Sequence, residues 1–296
     1  MPFKTNRPAG PLPALSGFSL LGFDGPEAAS FLQAQTMNDV RGLAAQQWQW
    51  NGWLNAKGRV IALFALLKLE QDRFIAVLPD MPAGEFAGLL KRFVFRTKVR
   101  IDVVASHVAA AGFDASAAPG DDGGQRIDGD IDNGLVLDMS GDGCRRQLLL
   151  LPSADTALAA PDAACDARWF GADLAHGLPR LPPEQRETWT PQMLSLERLK
   201  AFSLNKGCYP GQEIVARTHY LGKAKRGLAR VQGENLAVAA ELRDEQETAI
   251  GSIVCATGDA REGLAVVQVD SLGSQARIDG RRVGLPELFT GLQRPR

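Results

Sequence analysis

Eight apolar residues in a row, Val60 to Leu67, stand between NAKGR and a change of direction at Glu70 to Arg73. A membrane-spanning helix needs about 20 such residues, so this run is far too short to cross a bilayer. VIALFALLKL (60–69) reads instead as a strand. WQWNGWL (48–54) precedes it as a second strand joined through NAKGR, and FIAVL (74–78) follows as a third. Three consecutive strands of this kind call for covering layers. At 296 residues the chain is long enough for two domains and a substantial core.

The flanking sequence supplies those layers. FSLLGF (18–23) reads as a strand, and Gly25-Pro26 opens a helix over roughly 26–36, with Phe31 and Leu32 on its apolar face. Phe86, Leu89, Leu90, Phe93 and Val94 recur at the helical spacing, with Asp80 and Pro82 marking the start. In KVRIDVV, Val99, Ile101 and Val103 alternate as in a strand. The order strand, helix, strands, helix, strand predicts α+β layers.

Beyond these, ASAAPGDDGGQRIDGDIDNG (115–134) reads as an exposed loop with one short strand, its aspartates lacking the spacing of a calcium loop. Thr190-Pro191 predicts a capped helix over PQMLSLERLK. After Gly222 come GLARVQ, AIGSIVCAT, LAVVQV and ARIDGRRV, the last with an Asp279-Gly280 hairpin turn. This tail predicts a small C-terminal β-barrel over 223–296, following an α+β region over 1–222.

Charge and cysteine usage narrow the function. A formal net charge of −1 gives no global attraction to nucleic acid or anionic membrane, though it leaves a local basic patch open. The proline-broken N-terminus MPFKTNRPAGPLPAL has no apolar signal core, which points to the cytoplasm. Cys144, Cys165, Cys208 and Cys255 form no C-x-x-C pair, and His107, His176 and His219 show no metal spacing, so thiols are expected and a metal site is not.

One stretch carries chemistry: SLNKGCYPGQEIVARTHYLG (203–222). Gly207 and Gly211 permit close approach, Pro210 stiffens the turn, and Ile214, Val215, Thr218 and Leu221 share a helix face. A tight loop thus feeds a helix N-terminus, whose free N–H groups and positive potential, with Lys206 nearby, would favour the Cys208 thiolate. Glu213 suits the first helical turn and Arg217 lies four residues on, in position to pair with it. The competing reading is a glycine turn with a buried cysteine. A Cys208–His219 hydrolase pair would need a break in the helix.

NKGCYPGQEIVAR resembles the K-G-C-Y-x-G-Q-E signature of the YgfZ-type folate-binding proteins, which share a superfamily with the T-protein (aminomethyltransferase) of the glycine cleavage system. FLQAQTMNDV, LNAKGRV, the segment GLPRLPPEQRETWTPQMLSLE and LGKAKRGL resemble further family motifs, in order. The resemblance implies an N-terminal folate-binding region with a ferredoxin-like portion, a C-terminal β-barrel and a central ligand channel.

It also implies binding of tetrahydrofolate or a one-carbon derivative. The expected role is that of an accessory factor in iron–sulfur cluster assembly or maintenance, with indirect support of tRNA-modifying enzymes. The implied partners are iron–sulfur client or assembly proteins, with no direct nucleic-acid contact, no membrane and a monomeric chain. The alternative is aminomethyl transfer, but where T-proteins carry an acidic pair this chain has Ala62 and Leu63. By carry-over from L-R-L-E, Glu197 is the leading pterin contact. Lys206, Gly207, Tyr209, Gly211, Gln212, Glu213 and Arg217 come from the cysteine motif, with Cys208 as its functional thiol. Asn38, Asp39 and Trp53 are further expected contacts, Trp50 is a second candidate ring, and Arg226 is a candidate for the folate tail.

Overall fold

The computed structural model describes residues 8, 10–113, 124–222, 224–271 and 275–295. Most of the N-terminal stretch read for a leader, and residues 115–123 of the Gly/Asp-rich loop, lie outside these. A two-residue strand β1 (Leu12–Pro13) precedes a five-stranded antiparallel sheet. That sheet is built from β2 (Ser19–Asp24), β3 (Gln47–Leu54), β4 (Val60–Glu70), β5 (Arg73–Leu78) and β6 (Arg100–Val103), in the order β3-β4-β5-β2-β6. Helix α1 (Ala28–Gln35) follows β2, and α2 (Ala83–Lys91) follows β5. The path from β2 to β6 is therefore a β-α-β-β-α-β unit widened by the outer strand β3.

The apolar run is explained by burial on both faces. Leu63, Ala65, Leu67 and Leu69 of β4 enter one core, while Ala62, Phe64 and Leu66 enter another under α1 and α2. Fully burying each leucine or phenylalanine contributes about 1.5–3 kcal/mol, so neither face tolerates a polar residue cheaply. Helix α2 ends at Lys91, one turn earlier than the apolar spacing predicts. Phe93 and Val94 follow in turns, yet the Phe93 ring still meets Trp53 edge-on at 5.9 Å. Asp80 is not the helix cap. Its carboxylate accepts the backbone N–H of Leu181, and Pro82 precedes the helix without a side-chain cap.

A second antiparallel sheet comprises β7 (His107–Phe113), β8 (Ile127–Asp130), β9 (Gly134–Asp138) and β10 (Arg146–Pro152), ordered β7-β10-β9-β8. Its β8–β9 turn is shaped by Asp130, whose carboxylate accepts from the Asp132 and Asn133 N–H groups. Strand β11 (Leu158–Ala159) pairs in parallel with β1, and α3 (Ala163–Ala175) follows.

The helix expected over 191–200 is instead a series of turns ending in a 3-10 turn, Leu196–Leu199. Ser195 takes a left-handed φ of 48°, and its Oγ accepts the Leu228 N–H at 3.0 Å, pulling the segment out of helical register toward the C-terminal sheet. Helix α4 (Gln212–Leu221) then leads to β12 (Arg226–Gln232), β13 (Glu241–Arg243), β14 (Ala249–Ala256), β15 (Glu262–Gln268), β16 (Ala276–Ile278) and β17 (Arg281–Val283).

These six strands, ordered β12-β15-β14-β13-β16-β17, curl around an apolar interior but do not close into the expected barrel. The outer strands share no ladder; one bridge, Gln232 to Gly284, joins the edges. With β13, β16 and β17 only three residues long, one side of the sheet is too short to continue the pairing. The Asp279-Gly280 hairpin forms as expected, both residues at positive φ. No helix among the described residues is long and apolar enough to cross a membrane.

Candidate functional site

Two glycines bring distant motifs together. Gly211 caps α4 at φ 77°, and a Cβ there would lie 2.5 Å from the Asn55 carbonyl and 2.6 Å from Gly58 Cα. Gly58, itself at φ 69°, sits against Ile214 in the same way. NAKGR and the start of α4 thus pack backbone against backbone, which only glycine permits. Gly207 carries no such demand: its φ is ordinary and a Cβ there would meet nothing within 4 Å.

Lys206 joins a third motif. Its buried ammonium donates to the carbonyls of Gln33 (2.6 Å), Asn38 (3.1 Å) and Thr36, at the C-terminal end of α1, where a cation also complements the helix dipole. Burial pushes this ammonium down to about 8, with Asp39 acting in the opposite sense. The charge is therefore committed inward, to the FLQAQTMNDV segment. The expectation that it would serve the Cys208 thiolate meets this competing use.

Along the loop the side chains divide. Lys206 and Tyr209 turn inward, while Gly207 and Cys208 face solvent. The exposed thiol removes the reading of Cys208 as a buried core residue. Tyr209 has a buried hydroxyl without a partner, its phenol is pushed up to about 12 by burial, and Lys206 Nζ lies 4.9 Å from its ring centroid. Gln212 closes the loop by donating to the Lys206 carbonyl at 3.3 Å. Glu213 and Arg217 are both exposed, and no ion pair within 4 Å joins them among the described residues. His219 packs edge-on against Tyr220.

The remaining candidates separate by location. Asn38 donates to the carbonyls of Trp50 and Lys200, both at 2.8 Å, and Asp39 accepts from Gln33 Nε2 at 2.9 Å, so both brace the turn after α1. Trp53 lies buried between Phe86 and Phe93 under α2, and Trp50 donates its indole N–H to the Leu292 carbonyl. Both tryptophans are core residues. The Trp53 ring packs in the helix-side core, which leaves its expected contact with a cofactor without geometric support. Ala62 and Leu63 are each 1% exposed within β4.

Glu197 opens elsewhere. It lines a cavity of about 780 Å³ between the turns at 192–198, β12 and residues 285–290, in the company of Gln192, Arg198, Arg226 and Arg230. This size suits a small-molecule ligand. Although Glu197 keeps solvent contact, its surroundings raise the carboxyl above its ordinary range, mainly by desolvation, against the pull of Arg198 and His219. Gln192 donates to the Val215 carbonyl at 2.8 Å, and its buried Oε1 has no partner. Arg230 is paired with Glu262 at 2.9 Å, whereas Arg226 is exposed. Sequence reasoning passed over Gln192, although it lies within the quoted PQMLSLE; so did Gln33, whose side chain and carbonyl both organise the motif junction.

No protein-family model matches the chain. Among curated proteins, it is 30% identical over 242 residues to the tRNA-modifying protein YgfZ of Colwellia psychrerythraea, covering 77% of this chain and 73% of that protein. The protein of the same name from Edwardsiella ictaluri is 32% identical over 237 residues, covering 75% and 71%. That from Vibrio vulnificus (strain CMCP6) is 29% identical over 282 residues, covering 92% and 82%. The solved structure of glycine cleavage system aminomethyltransferase T from Bartonella henselae matches with a TM-score of 0.71, over 96% of this chain and 86% of that one. Its 16% identity makes this a likeness of fold alone. With three of its motifs meeting at Gly211 and Lys206, and with relatives matched over more than two thirds of their length, the chain belongs to the YgfZ family.

Proposed function

We propose that this protein binds tetrahydrofolate or a one-carbon derivative in the Glu197 cavity. It acts as an accessory factor in iron–sulfur cluster assembly or maintenance, and so supports tRNA modification indirectly. The observation that carries the reading is the Glu197 carboxylate on the wall of this cavity, partly desolvated and with Arg198 and Arg226 beside it. A reduced pterin presents an edge of N–H donors, and a carboxylate accepts such donors in charge-assisted hydrogen bonds. Arg226 on the same wall suits the anionic glutamyl tail.

The bound folate would supply one-carbon or pterin chemistry; this chain's own residues bind and orient it. Ala62 and Leu63, buried in β4, offer no carboxylate for proton transfer, which favours an accessory role over aminomethyl transfer. Cys208 is the exposed functional thiol, a sulfur available to a cluster iron, a persulfide or a redox adduct. Among the described residues no three His, Cys, Asp or Glu side chains converge to hold a metal. An iron held at Cys208 would therefore need further ligands from a partner.

Calorimetric titration of the full chain with tetrahydrofolate tests the binding. Glu197→Gln should weaken it tenfold or more, since a hydrogen bond to a charged group is worth about 1.5–3 kcal/mol, while Cys208→Ser should leave it unchanged. Affinity should also fall as pH drops through the raised Glu197 carboxyl, because protonation removes the acceptor charge. Equal affinities for parent and Glu197→Gln would refute the assignment. Cys208→Ser should fail to restore iron–sulfur enzyme activity in cells lacking the protein; full restoration would reduce the motif to a structural turn.

A further inference from the structure

The near-neutral average conceals a local concentration of charge. Between the end of α2 and β6, KRFVFRTKVR (91–100) carries Lys91, Arg92, Arg96, Lys98 and Arg100 with no acidic residue among them. Lys91 and Arg100 are paired with Asp102, and Arg100 also with Asp24. Arg92, Arg96 and Lys98 are exposed, and among the described residues none of the three forms an ion pair. The Glu27 carboxylate accepts the Lys98 backbone N–H at 2.7 Å.

At the apex of the same turn stands Phe95, 89% exposed. The turn is closed by Thr97 N–H donating to the Val94 carbonyl at 2.8 Å, with Phe95 at φ 41° in its first central position. Arg96, in the second, is not at positive φ. Glycine normally fills a first central position of this kind, and a bulky residue there is strained. Strain of that sort persists where the surroundings enforce it and is a pointer to function. The surroundings do enforce it here. Val94 and Val99 pack on the helix-side core, Phe93 packs against Trp53, and Gly25 lets the Lys98 carbonyl approach so closely that a Cβ would lie 2.5 Å from it.

The turn thus presents one wide-open aromatic ring, with Phe93 38% exposed beside it, among three cations that form no ion pair among the described residues. A protein partner would want a cluster of apolar anchors that together exclude water; Phe93 is held against Trp53, so Phe95 alone stands clear, flanked by charges. A polymer that alternates flat rings with phosphates fits both features, provided its bases are unpaired, because a duplex has no free base face to offer. We propose that the turn at 92–98 docks single-stranded RNA, stacking an unpaired base on Phe95 while Arg92, Arg96 and Lys98 meet neighbouring phosphates. Unlike the indirect support proposed above, this is a direct contact; RNA is chosen over DNA because relatives are named tRNA-modifying proteins, while the stacking and charge argue only for a single strand.

The test is fluorescence anisotropy with a labelled RNA hairpin bearing an unpaired loop, the fully paired RNA duplex of the same stem, and the deoxyribose hairpin, each titrated with the full-length protein. Phe95→Gly relieves the strained position, so its melting temperature should equal or exceed the parent's. Its hairpin affinity should fall by about fivefold to a hundredfold, the range of a lost base–aromatic stack. The triple variant Arg92→Ser, Arg96→Ser, Lys98→Ser should reduce the slope of log affinity against log salt by about 2, at roughly 0.7 per phosphate contact on a single strand. Glu197→Gln should bind the hairpin like the parent, and Phe95→Gly should bind tetrahydrofolate like the parent, so failure of either proposal is read separately. Unchanged hairpin affinity in a folded Phe95→Gly protein, or equal affinity for the duplex, overturns the proposal. Tighter binding of the deoxyribose hairpin would assign the surface to DNA. Displacement of the hairpin by poly-L-glutamate with the same dependence on Phe95 would assign it to an acidic protein. Either result overturns the RNA proposal.

Discussion

One ammonium ties the cysteine motif to the end of α1. Lys206 reaches three carbonyls there, and each accepts a hydrogen bond from it inside the protein. Lys206→Met keeps most of the volume but removes the donor, leaving buried acceptors unsatisfied, at a cost of about 1–3 kcal/mol. Urea unfolding of parent and variant would check this, and equal midpoints would show that the clamp is not structural. Gly211 and Gly207 make the complementary point. They look alike in the sequence, but only Gly211 sits at positive φ with another chain segment inside Cβ distance.

At the scale of elements, the segment after β5 does more than introduce α2. Asp80 lines a cavity of about 590 Å³ with Phe18, Trp169, Phe170 and Arg180, and desolvation raises its carboxyl to about 6 despite the Leu181 N–H and the nearby Arg180 and Arg186. The folded pKa lies above the ordinary carboxylate value of 3.8. Between the two, the folded protein holds a proton that the unfolded chain has released, so stability falls as pH rises from about 4 to about 6. At roughly 1.4 kcal/mol per pKa unit the loss approaches about 3 kcal/mol at neutral pH. Asp80→Asn keeps an acceptor for Leu181 without the charge. It should raise the melting temperature at pH 7 and flatten the pH dependence below 6. A melting temperature at pH 7 that is lower than the parent's would contradict this account.

Across the whole molecule, one core crosses all three large sheets. Leu63 and Leu67 of β4, Leu148 and Leu150 of β10, Trp169 of α3, and Val254, Leu264 and Val266 of the C-terminal sheet belong to a single apolar cluster. Removing one layer would expose the others, so the full chain should unfold in one calorimetric transition with equal calorimetric and van't Hoff enthalpies. Two resolved transitions would show separately folding units. If a single transition is observed, the proposed boundary at 222/223 is one of chain order and not of independent stability.

What the sequence determined by itself was local. The strand β4, the apolar face of α2 as far as Lys91, the loop into α4 and the Asp279-Gly280 turn all follow from spacing and from residues with restricted or permissive backbones. Such signals describe how neighbours a few positions apart share a face. The tertiary structure decided which distant segment meets each face. It set Trp50 and Trp53 into opposite cores across one strand, and bound Lys206 to carbonyls some 170 residues away. It also broke the expected helix at Ser195 by tying that residue to Leu228, and thereby placed Glu197 and Gln192 on one cavity wall. The sheet after Gly222 stayed open for the same reason: closure depends on the lengths of strands that pair at a distance, and those lengths are settled only when the edges meet.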